Sequence, residues 1–368
     1  MKVKVGDITK IRTGKLDANA SSEDGQYPFF TCSRDPLRIS TYSYDCECVL
    51  VAGNGDLNVK YYNGKFDAYQ RTYIIENDSN GKLYMPYLYL FMERYVEELR
   101  RQAIGGVIKY IKLGNLTDAL IELPTFEEQK YIVSILYKAK SVIEERSVQL
   151  EKLDDLIKAR FVEMFGDPVL NDMNWNKTTL LGSLQAGRTV TYGIVQTGDD
   201  VEDGVPVFRP IDIAGGNVPT RESLKRTLPE IAAKYQRTLL TGTELLVTVR
   251  GSIGETFQTS TVFKGCNVGR NIVPLVTDNR YVNQRFLQEL FAQEPIKRWL
   301  KGITKGIALQ GLNMSEFKDM PVIVPPMEMQ RSFVAFVEQV DKSKVAVKNS
   351  LNMAQLLFNG LMQKYFGG

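Results

Sequence analysis

Apolar residues follow the same spacing in two long stretches of the chain. Residues 123–167 align with residues 324–368 without a gap, at a constant offset of 201, and their apolar positions coincide. The first stripe comprises Ile132, Leu136, Ala139, Ile143, Arg146, Leu150, Leu153, Ile157, Arg160 and Met164; the second comprises Phe333, Val337, Val340, Lys344, Val347, Leu351, Ala354, Phe358, Leu361 and Tyr365. Intervals of four and three are heptad spacing, along which long helices pack knobs into holes. The pattern predicts two helices of about 38 residues, roughly 57 Å each, which pair antiparallel as a coiled coil.

Both predicted helices begin and end alike. Eight residues are identical between the copies, among them the entry residues Pro124, Glu127 and Gln129, which recur as Pro325, Glu328 and Gln330. Proline presets the entering turn, and an acidic residue in the first turn suits the positive end of the helix dipole. Phe-Gly ends each copy, where glycine can adopt the left-handed conformation that stops a helix. The shared register and entry argue against two unrelated long helices. The charged exceptions Arg146, Arg160 and Lys344 either set the register or snorkel.

The segments before the helices also repeat one order of elements. Residues 1–123 read as a short strand, a turn and a basic loop, then a buried strand at 49–52, a hairpin turned by Asn63-Gly64, and a helix after Tyr84. Residues 176–323 repeat this order, with a buried strand at 245–249 and a matching helix from 281. The predicted fold is α+β, with two tandem repeats that each join a mixed, strand-rich domain to a long helix. The predicted segments are 1–123, the helix 124–166, a linker 167–175, 176–323, and the helix 324–368.

Composition excludes several classes of function. The chain has 43% hydrophobic and 24% charged residues, as in ordinary globular proteins. No apolar run is long enough to cross a membrane and the N-terminus lacks the apolar core of a signal peptide, so we expect a cytoplasmic protein. The absence of histidine excludes Ser-His-Asp and Cys-His catalysis. Four scattered cysteines indicate neither a disulfide framework nor a zinc site. We therefore expect no catalytic residues, no metal and no cofactor.

Charge also restricts how nucleic acid could be bound. The net charge is +3; residues 1–123 carry 16 basic and 16 acidic residues, and residues 176–323 carry 18 and 14. Any contact with nucleic acid must therefore use local patches rather than bulk charge. Two diverged units on paired helices of fixed length would suit double-stranded DNA, whose major groove carries the sequence and recurs about every 34 Å.

The full chain resembles the DNA-specificity (S) subunit of type I restriction-modification systems. The resemblance rests on the helix entry Pro124-Thr125-Phe126-Glu127-Glu128-Gln129, its second copy at 325–330 with Met329 in place of glutamate, and the segments 153–161 and 165–168. It implies two target-recognition domains separated by an antiparallel coiled coil. It further implies a bipartite DNA target, each half of which is methylated on adenine. Two methyltransferase subunits would dock around the helices, and motor-nuclease subunits could join the complex. Family members have no catalytic site of their own.

Candidate DNA contacts lie in corresponding loops of the two units. Asparagine can bond adenine, and arginine or lysine can bond guanine. In the first unit the candidates are Arg12, Thr13, Lys15, Asn54, Asp56, Asn58 and Lys60; in the second they are Arg188, Thr191, Tyr192, Gln196, Arg209, Arg250 and Ser252. The alternative for Asn54 is a tight turn, and for Arg250 a salt bridge or phosphate contact. Arg71 and Arg270 align at matching positions, which favours a shared structural role over a phosphate contact.

The sequence leaves two other classes of function open. A free-standing DNA-binding or scaffolding protein would use the same two units without a methyltransferase. A nuclease or methyltransferase would need motifs that the chain lacks, namely Asn-Pro-Pro-aromatic and the GxxxxGK[ST] phosphate loop, although spacing alone does not exclude a site made only of carboxylates.

Overall fold

A computed structural model describes residues 1–306 and 311–367. The chain divides into two compact units, the first comprising Met1–Val148 and Lys348–Gly368 and the second Gln149–Val347. Each of the two long helices contributes one half to each unit. Among the described residues, no helix combines the length and the apolar character required to cross a membrane.

The first unit is built on a six-stranded sheet. The unit as a whole has eight strands: β1 (Lys2–Lys4), β2 (Thr9–Thr13), β3 (Tyr27–Phe30), β4 (Leu37–Ile39), β5 (Tyr44–Ala52), β6 (Val59–Ala68), β7 (Thr72–Asn77) and β8 (Leu120–Glu122). Its helices are α1 (Met85–Gln102), α2 (Leu113–Thr117) and the N-terminal half of α3 (Phe126–Phe165). The sheet order is β2-β7-β5-β6-β3-β4, and only β3 and β6 run parallel. Strands β1 and β8 pair separately, which joins the start of the unit to its end.

Alternation along β5 places apolar side chains on both faces of this sheet. Val49 and Val51 belong to the core that includes Leu88 of α1, whereas Cys48 and Leu50 belong to a second cluster on the other face. Successive side chains of a strand point to opposite faces, so one strand serves both cores.

The predicted hairpin turn at Asn63-Gly64 is wrong. Asn63 and Gly64 lie inside β6 and pair with Glu47 and Cys46 of β5, while the connection between the two strands is residues 53–58. The ladder on both sides of Asn63-Gly64 overrides the local turn preference of the dipeptide. Gly64 retains a positive φ of 137° within the strand, a conformation that suits glycine.

The second unit repeats this topology with interruptions. Its strands are β9 (Asn176–Thr179), β10 (Val205–Phe208), β11 (Lys225–Thr227), β12 (Leu245–Thr248), β13 (Thr256–Gln258), β14 (Asn267–Val268), β15 (Ile272–Leu275), β16 (Thr304–Lys305), β17 (Gly311–Leu312) and β18 (Pro321–Val324). Its helices are α4 (Pro210–Ile213), α5 (Pro229–Ala232), α6 (Gln284–Phe291), α7 (Glu294–Gly302), α8 (Met314–Lys318) and α9 (Met327–Phe366), the last shared with the first unit.

The large sheet is divided in the second unit. Its two parts have the orders β13-β12-β15 and β11-β10-β14, because a short 3-10 turn at Thr261–Phe263 separates β13 from β14, where the first unit has the continuous strand β6. The parallel pairing of β10 with β14 matches that of β3 with β6. The pairing of β9 with β18 matches that of β1 with β8.

The helix predicted from residue 281 is two helices. α6 ends at Phe291, α7 begins at Glu294, and Pro295 lies in the first turn of α7. Proline cannot donate an amide hydrogen bond within a helix and clashes with the preceding turn, so it starts a new helix. The first unit, which has no proline there, keeps the single helix α1.

The two long helices pack antiparallel, as predicted. In the first unit, Ile132 and Leu136 near the start of α3 share a core with Met362 near the end of α9. In the second unit, Phe161 and Phe165 near the end of α3 contact Phe333 near the start of α9, with ring centroids 5.5 and 5.4 Å apart. Lys344, one of the charged positions in the stripe, bonds to Asp154 across the helix pair, so it makes a specific interhelical contact.

The glutamine of the helix entry has the same role in both copies. Gln129 is fully buried; its carbonyl accepts from the Tyr84 amide at 2.8 Å, and its amide donates to the Lys82 and Pro124 carbonyls. Gln330 is also fully buried and makes the corresponding bonds to Asn283, Tyr281 and Pro325. These bonds fasten the start of each long helix to the segment before α1 or α6.

Only the first copy of the entry has a capping box. Thr125 and Glu128 bond reciprocally through side chain and backbone, which satisfies amide groups at the helix start. At the equivalent positions of the second copy stand Pro326 and Met329, and Met329 packs against the core instead.

Candidate nucleic-acid interface

Five loops meet at one edge of the sheet in the first unit. The Gly53 amide donates to the Arg71 carbonyl at 2.8 Å, and the Gln70 amide donates to the Leu16 carbonyl at 2.9 Å. Two further loops join through Tyr69 bonded to the Phe30 carbonyl and Gly55 bonded to the Lys109 carbonyl. The set of loops 14–16, 30–34, 53–58, 69–72 and 103–112 is called the first loop cluster.

The second unit has the same backbone frame. The Val249 amide donates to the Asn271 carbonyl at 2.9 Å, and the Arg270 amide donates to the Ile194 carbonyl at 2.8 Å. Gly269 bonds to the Phe208 carbonyl. We call the corresponding loops around residues 192–196, 249–254, 269–271 and 311 the second loop cluster.

The corresponding backbone hydrogen bonds show which residues of the two loop clusters are equivalent. Gly53 corresponds to Val249, and the residues that follow, Asn54 and Arg250, each form an isolated bridge with the loop after the helical segment, at Tyr110 and Gly311 respectively. One position of a shared frame thus carries asparagine in one unit and arginine in the other.

The predicted match between Arg71 and Arg270 is wrong by one residue. The hydrogen bonds pair Arg71 with Asn271 and Gln70 with Arg270. Each cluster therefore presents one arginine at this turn, but from neighbouring positions. The shared structural role was predicted because Arg71 and Arg270 were aligned at the same position. Since they are not equivalent, the alignment no longer supports that role.

Two arginines and a tyrosine line a small cavity in the second loop cluster. Tyr192, Arg250 and Arg270 line a cavity of 170 Å³. The rest of its lining is apolar and consists of Val195, Val249, Leu312 and Met314. Arg250 and Arg270 are exposed, and neither forms an ion pair with another described residue. Two adjacent guanidinium groups without carboxylate partners favour an anionic or acceptor-rich ligand, such as phosphate oxygens or the acceptor edge of guanine.

Arg12 and Thr13 lie in strand β2 rather than in the predicted loop. Arg12 pairs with Glu76 at 2.7 Å and lies over the Tyr44 ring at 4.6 Å, where it covers the cluster on that face of the sheet. Thr13 is the last, exposed residue of the strand, and its carbonyl accepts from Tyr44. Lys15 is exposed in the first loop cluster.

Asn58 and Lys60 are used within the protein. The Asn58 amide donates to the Cys32 and Asp56 carbonyls, both at 2.8 Å, and Lys60 donates to the Asn58 side chain. Burial lowers the pKa of Lys60. Asp56 pairs with Arg34 and Arg100. These residues stabilise the conformation of the 53–58 loop, and Asn54 is the candidate in this loop whose side chain bonds to no other described residue.

Two candidates of the second unit are also held by carboxylates. Arg209 is the residue at the N-cap position of α4, and its guanidinium donates to Asp212 at 2.9 Å; this bond raises the pKa of the guanidinium. Arg188 lies 3.9 Å from Glu244, which precedes β12, whereas Arg250 follows that strand. The six residue steps from Glu244 to Arg250 span about 20 Å of extended chain, so Arg188 is not part of the second loop cluster.

The remaining candidates lie in exposed loops. Gln196 and Ser252 are exposed, Tyr192 is 45% exposed, and Thr191 is half-buried. Tyr192 and Arg250 line the common cavity, and Ser252 belongs to the Arg250 loop. Gln196 follows Val195, another residue that lines the cavity.

Sequence reasoning missed the 103–112 loop of the first unit. The pair Gly105-Gly106 between aliphatic residues was the available signal for a turn, but its place beside Asn54 depends on tertiary hydrogen bonds. Among the described residues, no group of three or more Cys, Asp or Glu side chains is arranged to hold a metal ion.

The sequence matches a known family over most of its length. Residues 1–152 and 196–354 match the type I restriction modification DNA specificity domain. The chain is similar to the type I restriction enzyme EcoDI specificity subunit of Escherichia coli, with 27% identity over 401 residues that cover 100% of this chain and 87% of that protein. It is also similar to the EcoBI specificity subunit of Escherichia coli, with 24% identity over 309 residues that cover 77% of this chain and 65% of that protein.

Two solved structures share the fold. The type I restriction-modification S subunit from M. genitalium has a TM-score of 0.60 at 17% identity, over 100% of this chain and 96% of that one. A chain from a study of complex assembly and conformational transition of the type I R-M system has a TM-score of 0.56 at 16% identity, over 100% and 97%. The predicted α+β class with two repeats and paired long helices is thereby confirmed.

Proposed function

This chain belongs to the type I restriction modification DNA specificity family, and we propose that it is the DNA-reading subunit of such a complex, each unit recognising one half of a bipartite target in the major groove. The observation that carries the proposal is the repeated loop frame. Gly53 and Val249 make the same backbone bond, while the next residues are Asn54 and Arg250. A constant frame with different hydrogen-bonding side chains suits the reading of two different half-sites.

The paired helices set the gap between the half-sites in this proposal. α3 and α9 each have 40 residues, about 60 Å at 1.5 Å per residue. A helical pair of fixed length keeps the distance between two contacts constant, so a fixed number of unread base pairs would separate the half-sites. The boundaries proposed for the recognition domains remain 1–123 and 176–323, with 167–175 as the linker and the helices at 124–166 and 324–368.

In this proposal, partner subunits catalyse the methylation and the cleavage of DNA. Methyltransferase subunits, two per chain, would dock around the paired helices and methylate adenine in each half-site, and motor-nuclease subunits would add cleavage. The chain itself would be non-catalytic, since it has no histidine and no nucleotide-binding phosphate loop. We place this complex in the cytoplasm, where its DNA substrate is.

Modified-base sequencing tests the proposal. DNA is read from cells that express this chain with a candidate methyltransferase subunit, and from cells that express either protein alone. A bipartite motif with a fixed unread gap, methylated only when both proteins are present, is expected. If no motif appears although the two proteins form a complex, the specificity role is refuted and the free-standing scaffold becomes the better description.

A further inference from the structure

A hydrogen-bonded hairpin at residues 103–112 belongs to the first loop cluster. Ile104 and Tyr110 exchange two backbone hydrogen bonds, of 3.0 and 2.8 Å. The turn between them requires glycine, because Gly105 has a φ of 120° and a Cβ there would lie 2.5 Å from the Ile108 carbonyl oxygen. The hairpin is joined to the 53–58 loop by the Gly55 bond to the Lys109 carbonyl and the Ile111 bond to the Gly53 carbonyl.

The tip of this hairpin is aliphatic and exposed. Val107 is 103% exposed and Ile108 62% exposed. Single exposed apolar residues are common, whereas adjacent ones at the tip of a hydrogen-bonded hairpin are candidates for a contact surface. Neither side chain contributes to a core of the described residues, so the fold does not explain them.

The polar surroundings of the tip favour DNA as the ligand. Lys109 is exposed and has no ion-pair partner among the described residues. Arg71 and Lys15 are exposed in the same loop cluster. Asp56, the acid of the 53–58 loop, is neutralised by Arg34 at 3.2 Å and Arg100 at 3.4 Å. A loop cluster with cations that lack carboxylate partners and with an apolar tip is complementary to a polyanion that has apolar groups in its groove.

The major groove of DNA contains one apolar group, the C5 methyl of thymine, and aliphatic side chains are its usual protein contact. We propose that Val107 and Ile108 read a thymine methyl in the half-site recognised by the first unit, next to the base contacted by Asn54. This inference rests on the proposed function and specifies one base of the target, thymine, and the group on it that is contacted, the C5 methyl. The hydrogen-bonding residues of the cluster do not distinguish this methyl group, because it neither donates nor accepts.

Replacement of thymine by uracil tests this contact. Uracil keeps every hydrogen-bonding group of thymine and lacks only the methyl. Binding of the chain assembled with its methyltransferase subunit is measured on duplexes that carry the mapped motif, with uracil at each thymine of the first half-site in turn. At one position we expect binding about fourfold weaker, the loss for one methyl-sized group no longer buried.

A variant and a control complete the experiment. Val107→Ala combined with Ile108→Ala should weaken binding to the thymine duplex and bind the thymine and uracil duplexes equally. Leu120→Ala, which removes an exposed aliphatic side chain from β8 (56% exposed), should retain the fourfold preference. Thermal unfolding midpoints should be unchanged in both variants, because the substituted side chains are exposed.

Each other outcome overturns the inference. A first half-site without thymine, equal binding of the uracil duplexes by the unaltered complex, or an unchanged thymine preference in the double variant would refute the methyl contact while specific binding remains. A double variant that binds the methyltransferase subunit more weakly but, once assembled, keeps the thymine preference would assign the tip to a protein contact. If no motif can be mapped, the proposed function fails, and this inference fails with it.

Discussion

Removal of the buried Gln129 side chain should strongly destabilise the first unit. Gln129→Ala leaves the Tyr84 amide without its partner and removes one donor from each of the Lys82 and Pro124 carbonyls. An unpaired buried amide costs about 1–3 kcal/mol, and each lost bond to a carbonyl about 0.5–1.5 kcal/mol. We therefore expect the free energy of unfolding to fall by about 2–6 kcal/mol from the lost hydrogen bonds. Gln129→Met fills the volume but makes none of these hydrogen bonds, so it should remain destabilised.

Urea unfolding followed by circular dichroism measures the loss, and hydrogen exchange locates it. The Tyr84 amide should exchange much faster in Gln129→Ala than in the unaltered protein. Gln339→Ala is the matched control, because it removes the same side chain from an exposed position of a long helix; it should change stability by no more than about 0.5 kcal/mol. If Gln129→Ala and Gln339→Ala unfold at the same urea concentration, the buried glutamine does not fasten the helix start.

Three further predictions concern recognition, spacing and pH. Arg250→Asn should change the preferred base at one position of the second half-site from guanine towards adenine and spare the first half-site; a change of about 1–3 kcal/mol in base discrimination is measured by competition binding, and an unaltered preference would remove Arg250 from the base contacts. Seven residues inserted into both long helices lengthen each by about 10 Å, so the mapped gap should grow by about three base pairs at 3.4 Å each; an unaltered gap would show that the helices do not set it. Burial by itself raises the pKa of Glu244, but hydrogen bonds from Thr241, Gly242 and its own amide together lower it. Since the folded pKa is below the unfolded value, this carboxylate stabilises the fold above about pH 4.5 and loses that effect as pH falls through the folded pKa. Glu244→Gln should therefore lower the thermal midpoint at pH 7 and matter progressively less in acid; a pH-independent difference would contradict the assignment.

The long helices could be predicted because their signal repeats over many turns. A stripe such as Ile132, Leu136 and Ala139 identifies a helix without knowledge of its partner, and its second copy supplies the partner. The turn assigned to Asn63-Gly64 failed because two residues carry a weak preference, which the β5–β6 ladder outweighs. The match of Arg71 with Arg270 failed because identity in a short loop is a poorer guide to equivalence than backbone hydrogen bonds.

The sequence could identify which residue types are suited to DNA contacts, but not which of these side chains are free of other protein contacts. Arg12 and Arg209 were predicted as contacts from their residue type, yet Glu76 and Asp212 form ion pairs with them. The pair of Arg12 with Glu76 joins strands distant in sequence and is not visible in a local pattern, whereas Asp212 lies three residues after Arg209 and was the available signal for that pair. Val107 was missed for the opposite reason, since an aliphatic residue reads as core until the structure shows it exposed.

The exchange of one recognition unit tests the central claim most directly. Residues 1–123 are replaced by the corresponding segment of another family member, and the methylated motif is mapped by modified-base sequencing in the presence of the methyltransferase subunit. If each unit reads its own half-site, one half of the motif changes while the other half and the gap remain. A motif that changes in both halves, or in neither, would contradict the account.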